Sequence, residues 1–281
     1  MGVINVTPDS FSGDGIAGAV SSASVVERAV AQALAFGEAG ADILDIGGES
    51  TRPGSSPVTA DEEAARVLPV VRAVRESSHL PISVDTYRAD VAEAALDAGA
   101  DWVNDVWALR MDPDMAPLVA KYDCPVVLMH NRSKPKDAVQ ESRLGGRYVG
   151  VHYDDLLADI RRELEESIRL AKAAGVRDEN IIVDPGIGFG KTVEQSLELL
   201  NRLDELKDLG YPLLLGTSRK SFIGYTLDLP PEQRLEGTAA TVAVGIVRGA
   251  DLVRVHDVAS MVRVARMTDA IVRPRRESIK E

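Results

Sequence analysis

"EAGADILDIGG", Glu38 to Gly48, joins the end of a helix-like stretch to an apolar strand. The scheme returns as "DAGADWVNDV" at Asp97–Val106 and as "RGADLVRVHDV" at Arg248–Val258. In each copy a glycine (Gly40, Gly99, Gly249) stands where a helix takes its left-handed cap, an Ala-Asp pair follows, and a strand then ends in polar residues. These strands are apolar on both faces, as strands of a buried parallel sheet are. The intervals are too irregular for a solenoid.

The same pattern, extended along the chain, yields eight candidate strands, at 2–6, 42–47, 81–85, 102–106, 125–130, 181–184, 212–217 and 251–256. Helical patterns lie between them. Leu156, Leu157, Ile160, Leu164 and Ile168 make one apolar face; Leu197, Leu200, Leu203, Leu206 and Leu209 recur every third residue up to Gly210. Thr59 with Glu62 has the spacing of a capping box. Eight strand–helix alternations predict an α/β chain folded as a single-domain (β/α)8 TIM barrel over residues 1–273, with 274–281 as a solvated tail. An open doubly wound sheet is the alternative.

The 281 residues carry 44 acidic and 32 basic side chains, a net charge of −12, which disfavours a nucleic-acid partner. The single Cys124 excludes an intrachain disulfide and a cysteine-based zinc site. No apolar run reaches membrane-spanning length and no signal-peptide pattern opens the sequence, so the expectation is a cytoplasmic protein without a membrane partner.

"IIVDPGIGFGKT" at Ile181–Thr192 looks like a nucleotide-binding P-loop. Its spacing does not fit: three residues separate Gly186 from Gly190, and Pro185 stands where a glycine N–H is wanted.

In a barrel the site lies at the carboxyl ends of the strands. Those ends carry Asn5, Asp45, Asp85, Asn104 with Asp105, Met129 with His130, Asp184, Ser218 with Lys220, and Arg254 with His256. Such a mixture suits a small ligand rich in donors and acceptors. Two stretches, Thr7–Gly18 and Gly47–Thr59, exceed the roughly two to six residues of a common βα connection and read as binding loops.

At this point "GVINVTPDSF", "DIGGESTRPG", "SVDT", "NDV", "LMH", "DPGIGFGK", "SRK" and "RVHDV", in this order from Gly2 to Val258, resemble the dihydropteroate synthase family. The resemblance implies a transferase of folate biosynthesis, the target of sulfonamides. It would join 6-hydroxymethyl-7,8-dihydropterin diphosphate to 4-aminobenzoate with loss of pyrophosphate. It implies a pterin site of Asp85, Asn104, Met129, Asp184, Phe189 and Lys220, and a diphosphate site of Asn5, Thr51, Arg254 and His256. Phe11, Thr51, Arg52 and Ser218 would meet the aminobenzoate, Asn5 would hold Mg²⁺, and Lys220, Asp184 and Arg254 would carry the catalysis. The partners it implies are these small molecules and a second copy of the chain. No site is assigned to 131–153, where the resemblance is poor. Two rival readings are disfavoured: a methyltransferase that passes a folate methyl group to a corrinoid protein has no use for "SRK" with "RVHDV" beside a diphosphate loop, and Asn5, Asp184, Lys220 and Arg254 count against a catalytically silent paralogue that binds a pterin or a protein partner.

Overall fold

Each of the eight predicted strands is present, and together they close a ring. In the computed structural model, which describes residues 1–7, 22–50, 57–134, 137–149 and 151–273, the parallel strands β1 (Gly2–Asn5), β2 (Leu44–Gly47), β3 (Ile82–Asp85), β4 (Trp102–Asp105) and β5 (Val126–Met129) pair in sequence order. A short antiparallel hairpin, β6 (Ala138–Val139) with β7 (Arg147–Tyr148), then interrupts the series. The strand β8 (Ile181–Asp184) pairs with β5, and β9 (Leu214–Leu215) pairs with β10 (Leu252–Val253). Bridges Val183↔Leu213 and Gly2↔Val255 join these segments, so β1 meets the last strand and the sheet has no edge. That closure excludes the open-sheet alternative. The strands are shorter than predicted at several ends, above all the seventh and eighth, whose regular pairing is reduced to two residues each.

Helices α1 (Ser22–Glu38), α2 (Ala60–Ser77), α3 (Ala89–Asp97), α4 (Met115–Tyr122), α5 (Leu156–Ala173), α6 (Val193–Asn201), α7 (Ser221–Leu227), α8 (Leu235–Val247) and α9 (Val258–Val272) surround the ring. A core cluster that includes Leu44, Ile46, Val71, Ile82, Leu128, Ile160 and Leu199 fills the space between strands and helices. Met1, Ile43, Val127, Ile182 and Leu214 form a smaller buried cluster of their own.

The recurring Gly-Ala-Asp has a physical reading at both residues. Gly40, Gly99 and Gly249 adopt φ of +93°, +112° and +98°, which an L side chain resists. The aspartate ties the incoming strand to its neighbour: Asp101 Oδ2 accepts the Ile82 N–H at 2.8 Å, and Asp251 Oδ2 accepts that of Leu213 at 3.0 Å. The capping box of Thr59 and Glu62 is formed.

The leucine row needs a correction. Leu197 is exposed, whereas Leu200 of the same row is buried together with Leu199. A spacing of three drifts around an α-helix of 3.6 residues per turn. From Leu203 to Leu209 the chain is a 3₁₀ helix, and there the three-residue period keeps Leu203 and Leu206 buried together.

Candidate active site

The strand register lifts one row of side chains to the barrel mouth. Asn5 pairs with Gly47, Gly47 with Asp85, and Asp85 with Asn104. Because each is the last or next-to-last residue of its strand, polar side chains can stand there without breaking the ladder below. Met129 opposite Asp184 belongs to a second row.

Arg254, just past β10, crosses this mouth and binds two carboxylates. Its Nε lies 2.6 Å from Asp45 Oδ2 and its Nη2 2.6 Å from Asp85 Oδ2. Asn104 Nδ2 adds a long contact of 3.4 Å to Asp45. Asp45 is fully buried, so it depends on this guanidinium for its counter-charge. Burial raises the Asp85 carboxyl above its ordinary range, with the Arg254 charge pulling it down and Asp45 pushing it up.

Asp184 and Lys220 form the other half. A Cβ built on Gly216 would lie 3.8 Å from Lys220 Nζ, 3.9 Å from Asp184 Oδ2 and 4.0 Å from Arg254 Cβ, so three side chains converge on one glycine. Asp184 Oδ1 accepts the Gly186 N–H at 2.7 Å, which leaves Oδ2 on the side of Lys220. Burial raises the Asp184 carboxyl, opposed chiefly by the Lys220 charge. Lys220 Nζ donates to the Ile187 carbonyl and sits 4.6 Å from the centre of the Phe189 ring. Burial, opposed by Asp184, brings the Lys220 ammonium down to about 8. Three carboxylates and two cations thus gather at one end of the barrel.

The loop resembling a P-loop is closed on itself. Gly186 has φ +67°, and a Cβ there would stand 1.9 Å from the His130 carbonyl oxygen, so no other residue fits. Lys191 is 2% exposed and donates inward to the Gly186 and Phe189 carbonyls at 3.0 and 3.1 Å. It offers no phosphate cradle.

This barrel, with these groups at these strand ends, has well-defined relatives. A family model described as pterin binding enzyme matches residues 1–256. The dihydropteroate synthase of Clostridium beijerinckii is 51% identical across 97% of this chain and 94% of its own length. The chain belongs to the dihydropteroate synthase family. A solved dihydropteroate synthase from Clostridium difficile, in the presence of pteroic acid, is 49% identical with a TM-score of 0.86, covering 97% of this chain and 95% of that one. Another from Xanthomonas albilineans, in complex with 7,8-dihydropteroate, is 41% identical with a TM-score of 0.82 over 96% of this chain and 92% of its own.

Against the residues that the dihydropteroate synthase family led us to expect, the structure brings Asp85, Asn104, Asp184, Phe189, Lys220 and Arg254 into the linked contacts described above. Met129, 4% exposed, ends β5 opposite Asp184. Asn5 ends β1, and His256 follows Val255, which packs outward among α8 and α9 residues. Ser218 Oγ accepts the His256 main-chain N–H at 3.1 Å and lies 3.0 Å from its Nδ1. Phe11, Thr51 and Arg52 lie outside the described residues, as do 274–281 and most of the two long loops.

Two participants were missed. Asp45 reads from the sequence as one more polar strand end, yet it lies two residues before the end of β2 and anchors Arg254. Arg88 holds both stems of the second long loop, through Glu49 Oε2 at 2.6 Å and the Val58 carbonyl at 2.7 Å, and also pairs with buried Glu63. Nothing in the local sequence around Arg88 announces those partners.

Proposed function

We propose that this chain condenses 6-hydroxymethyl-7,8-dihydropterin diphosphate with 4-aminobenzoate to give 7,8-dihydropteroate and pyrophosphate. The observation that carries the reading is the convergence of Asp184 Oδ2, Lys220 Nζ and Arg254 on Gly216. A pterin presents adjacent N–H donors beside a carbonyl, and a carboxylate next to an ammonium complements that edge. Asp184 accepts the 2-amino and N3 hydrogens, Lys220 donates to the carbonyl and N5 side, and Asn104 and Asp85 take the remaining edge. Phe189 and Met129 flank the ring.

The carbon–oxygen bond at the pterin methylene breaks with its electron pair leaving on pyrophosphate. The dihydropterin ring delocalises the resulting cation. The amine of aminobenzoate, already neutral at pH 7, forms the new carbon–nitrogen bond and releases its proton to solvent. Catalysis therefore rests on positioning and electrostatics. Arg254, His256 and Asn5 face the leaving group, and Ser218, together with His256, frames the aromatic acid; the family resemblance assigns Thr51 to the first of these and Phe11, Thr51 and Arg52 to the second.

Asn5 suits Mg²⁺ by its oxygen donor, but among the described residues no three His, Cys, Asp or Glu side chains gather to hold a metal. Asp45 and Asp85 are engaged by Arg254. The donor set fits an ion that arrives with the diphosphate and is held mainly by substrate oxygens and water. Held there beside Asn5, such an ion would supply positive charge to the departing pyrophosphate.

The test is turnover: pyrophosphate released only when pterin diphosphate, aminobenzoate and Mg²⁺ are all present. Methyl transfer to a corrinoid without pyrophosphate release would overturn the reading. Because the free-enzyme Lys220 loses its charge near pH 8, kcat/KM for the pterin diphosphate falls as pH rises through about 8. That step should vanish in Lys220→Gln, measured across pH 6 to 10.

We place the activity in the cytoplasm, in keeping with a single buried cysteine; among the described residues no helix is long and apolar enough to cross a membrane. We also propose a homodimer. Val247 on α8 and Met267 and Ile271 on α9 are each more than half exposed, and these two helices pack together. Light scattering should give twice the 30.1 kDa chain mass.

A further inference from the structure

The Gly-Phe-Gly-Lys segment resembles a phosphate loop, yet its lysine serves no phosphate, and the chemistry above makes no use of it. Lys191 Nζ donates to the Gly186 carbonyl at 3.0 Å, to the Phe189 carbonyl at 3.1 Å, and to His130 Nδ1 at 2.9 Å. Burial pulls the Lys191 ammonium well below the ordinary lysine range, with Asp184 opposing; its three acceptors match the three N–H groups of the charged form, and with 2% exposure nothing remains to offer a ligand. Two of the acceptors are main-chain carbonyls of the turn after β8. The same turn gives its Gly186 N–H to Asp184 Oδ1, its Ile187 carbonyl to Lys220, and its Phe189 ring to the underside of the Lys220 ammonium.

The third acceptor ties the turn to the rest of the barrel. With Nδ1 accepting, the His130 ring carries its hydrogen on Nε2, which stands 3.0 Å from Glu163 Oε2 but off the line of a good hydrogen bond. Glu163, on α5, is paired with Arg132. Burial, reinforced by the Lys191 charge, pushes His130 down to about 3, so the ring is neutral and able to accept. The chain of contacts runs from α5 through β5 into the turn.

We propose that Lys191 is a positioning residue for pterin recognition, holding the turn Pro185–Gly190 closed so that Asp184 and Phe189 face the pterin. The proposal rests on the pterin site argued above. Removing the ammonium leaves two buried carbonyls without their donor; the turn relaxes, and the Gly186–Asp184 and Ile187–Lys220 bonds relax with it. The effect falls on the pterin, because the turn meets Asp184, Lys220 and Phe189.

The experiment titrates 6-hydroxymethylpterin into the full chain by calorimetry and measures KM for both substrates. It compares wild type, Lys191→Met, Lys191→Gln and a core truncation on α4, Leu118→Ala. In Lys191→Met the pterin Kd rises by about 30-fold or more, while KM for aminobenzoate moves by less than about threefold. Lys191→Gln, which keeps two N–H donors on a shorter arm, falls between. Leu118→Ala lowers the melting temperature without changing pterin affinity. If Lys191→Met does not fold, His130→Phe removes one acceptor and shows the same pattern at smaller size. Unchanged pterin affinity in whichever variant folds, or equal losses for both substrates, overturns the proposal. A wild-type protein that binds no pterin overturns instead the functional reading beneath it.

Discussion

Arg254→Met lowers kcat/KM for the pterin diphosphate by about 10³-fold or more. Two losses combine. The guanidinium that we propose faces the departing pyrophosphate is gone, and Asp45 and Asp85 lose the charge that now lies 2.6 Å from each. Asp45 is fully buried and Asp85 is 12% exposed, so neither can turn to water for compensation. Asp85, whose carboxyl burial already raises, takes up a proton, and the row Asn5–Gly47–Asp85–Asn104 is disturbed. Part of the effect is therefore on stability, and thermal melting of the same variant measures it. A second substitution separates the two losses. Adding Asp45→Asn removes the unpaired carboxylate, so the double variant regains most of the melting temperature but little of the turnover. Recovery of both together would mean that Arg254 acts only as a structural counter-ion. Arg254→Lys, with one compact cation, cannot reach two carboxylates in the forked geometry and should stay well below wild type.

Asp184→Asn weakens pterin binding by about 10²-fold or more. The Gly186 N–H fixes which way the new amide turns. That N–H must donate, so the amide oxygen takes the place of Oδ1, and the amide nitrogen takes the place of Oδ2 on the cavity side. A donor then faces the pterin N–H donors, and buried groups on both sides go unpaired. Lys220 loses the carboxylate that offsets its burial and shifts further toward the neutral amine. Calorimetry should show the loss for the pterin ring without its diphosphate, whereas Arg254→Met spares that simpler ligand by comparison. Equal pterin affinity in Asp184→Asn and wild type would take Asp184 out of the site.

The barrel was legible because its signals are local and repeated. Gly-Ala-Asp marks a helix end and a strand start three times, and positive φ at the glycine explains the first letter of each copy. The polar strand ends were legible for the same reason, since a carboxylate or carboxamide ending an apolar run stands out against it. What was not legible depends on partners far apart in sequence. Asp45 and Arg254 are separated by 209 positions, and Asp45 reads alone as one more polar strand end. Lys191 and His130 are separated by 61, and Glu163 joins them from a helix whose own pattern shows only an amphipathic face. The leucine row was legible in part: Leu200, Leu203 and Leu206 are buried, but Leu197 is exposed, because a spacing of three suits the 3₁₀ helix after α6 better than α6 itself.

The claim on which the rest depends is that Asp184, Lys220, Asn104 and Asp85 form one pterin pocket. The most direct measurement is a crystal structure of this chain with 6-hydroxymethylpterin bound. The amino and N3 edge of the pterin should lie on Asp184, its carbonyl side toward Lys220, and its ring between Phe189 and Met129. A pterin lodged away from Asp184, or bound there with its amino edge turned from the carboxylate, would contradict that claim.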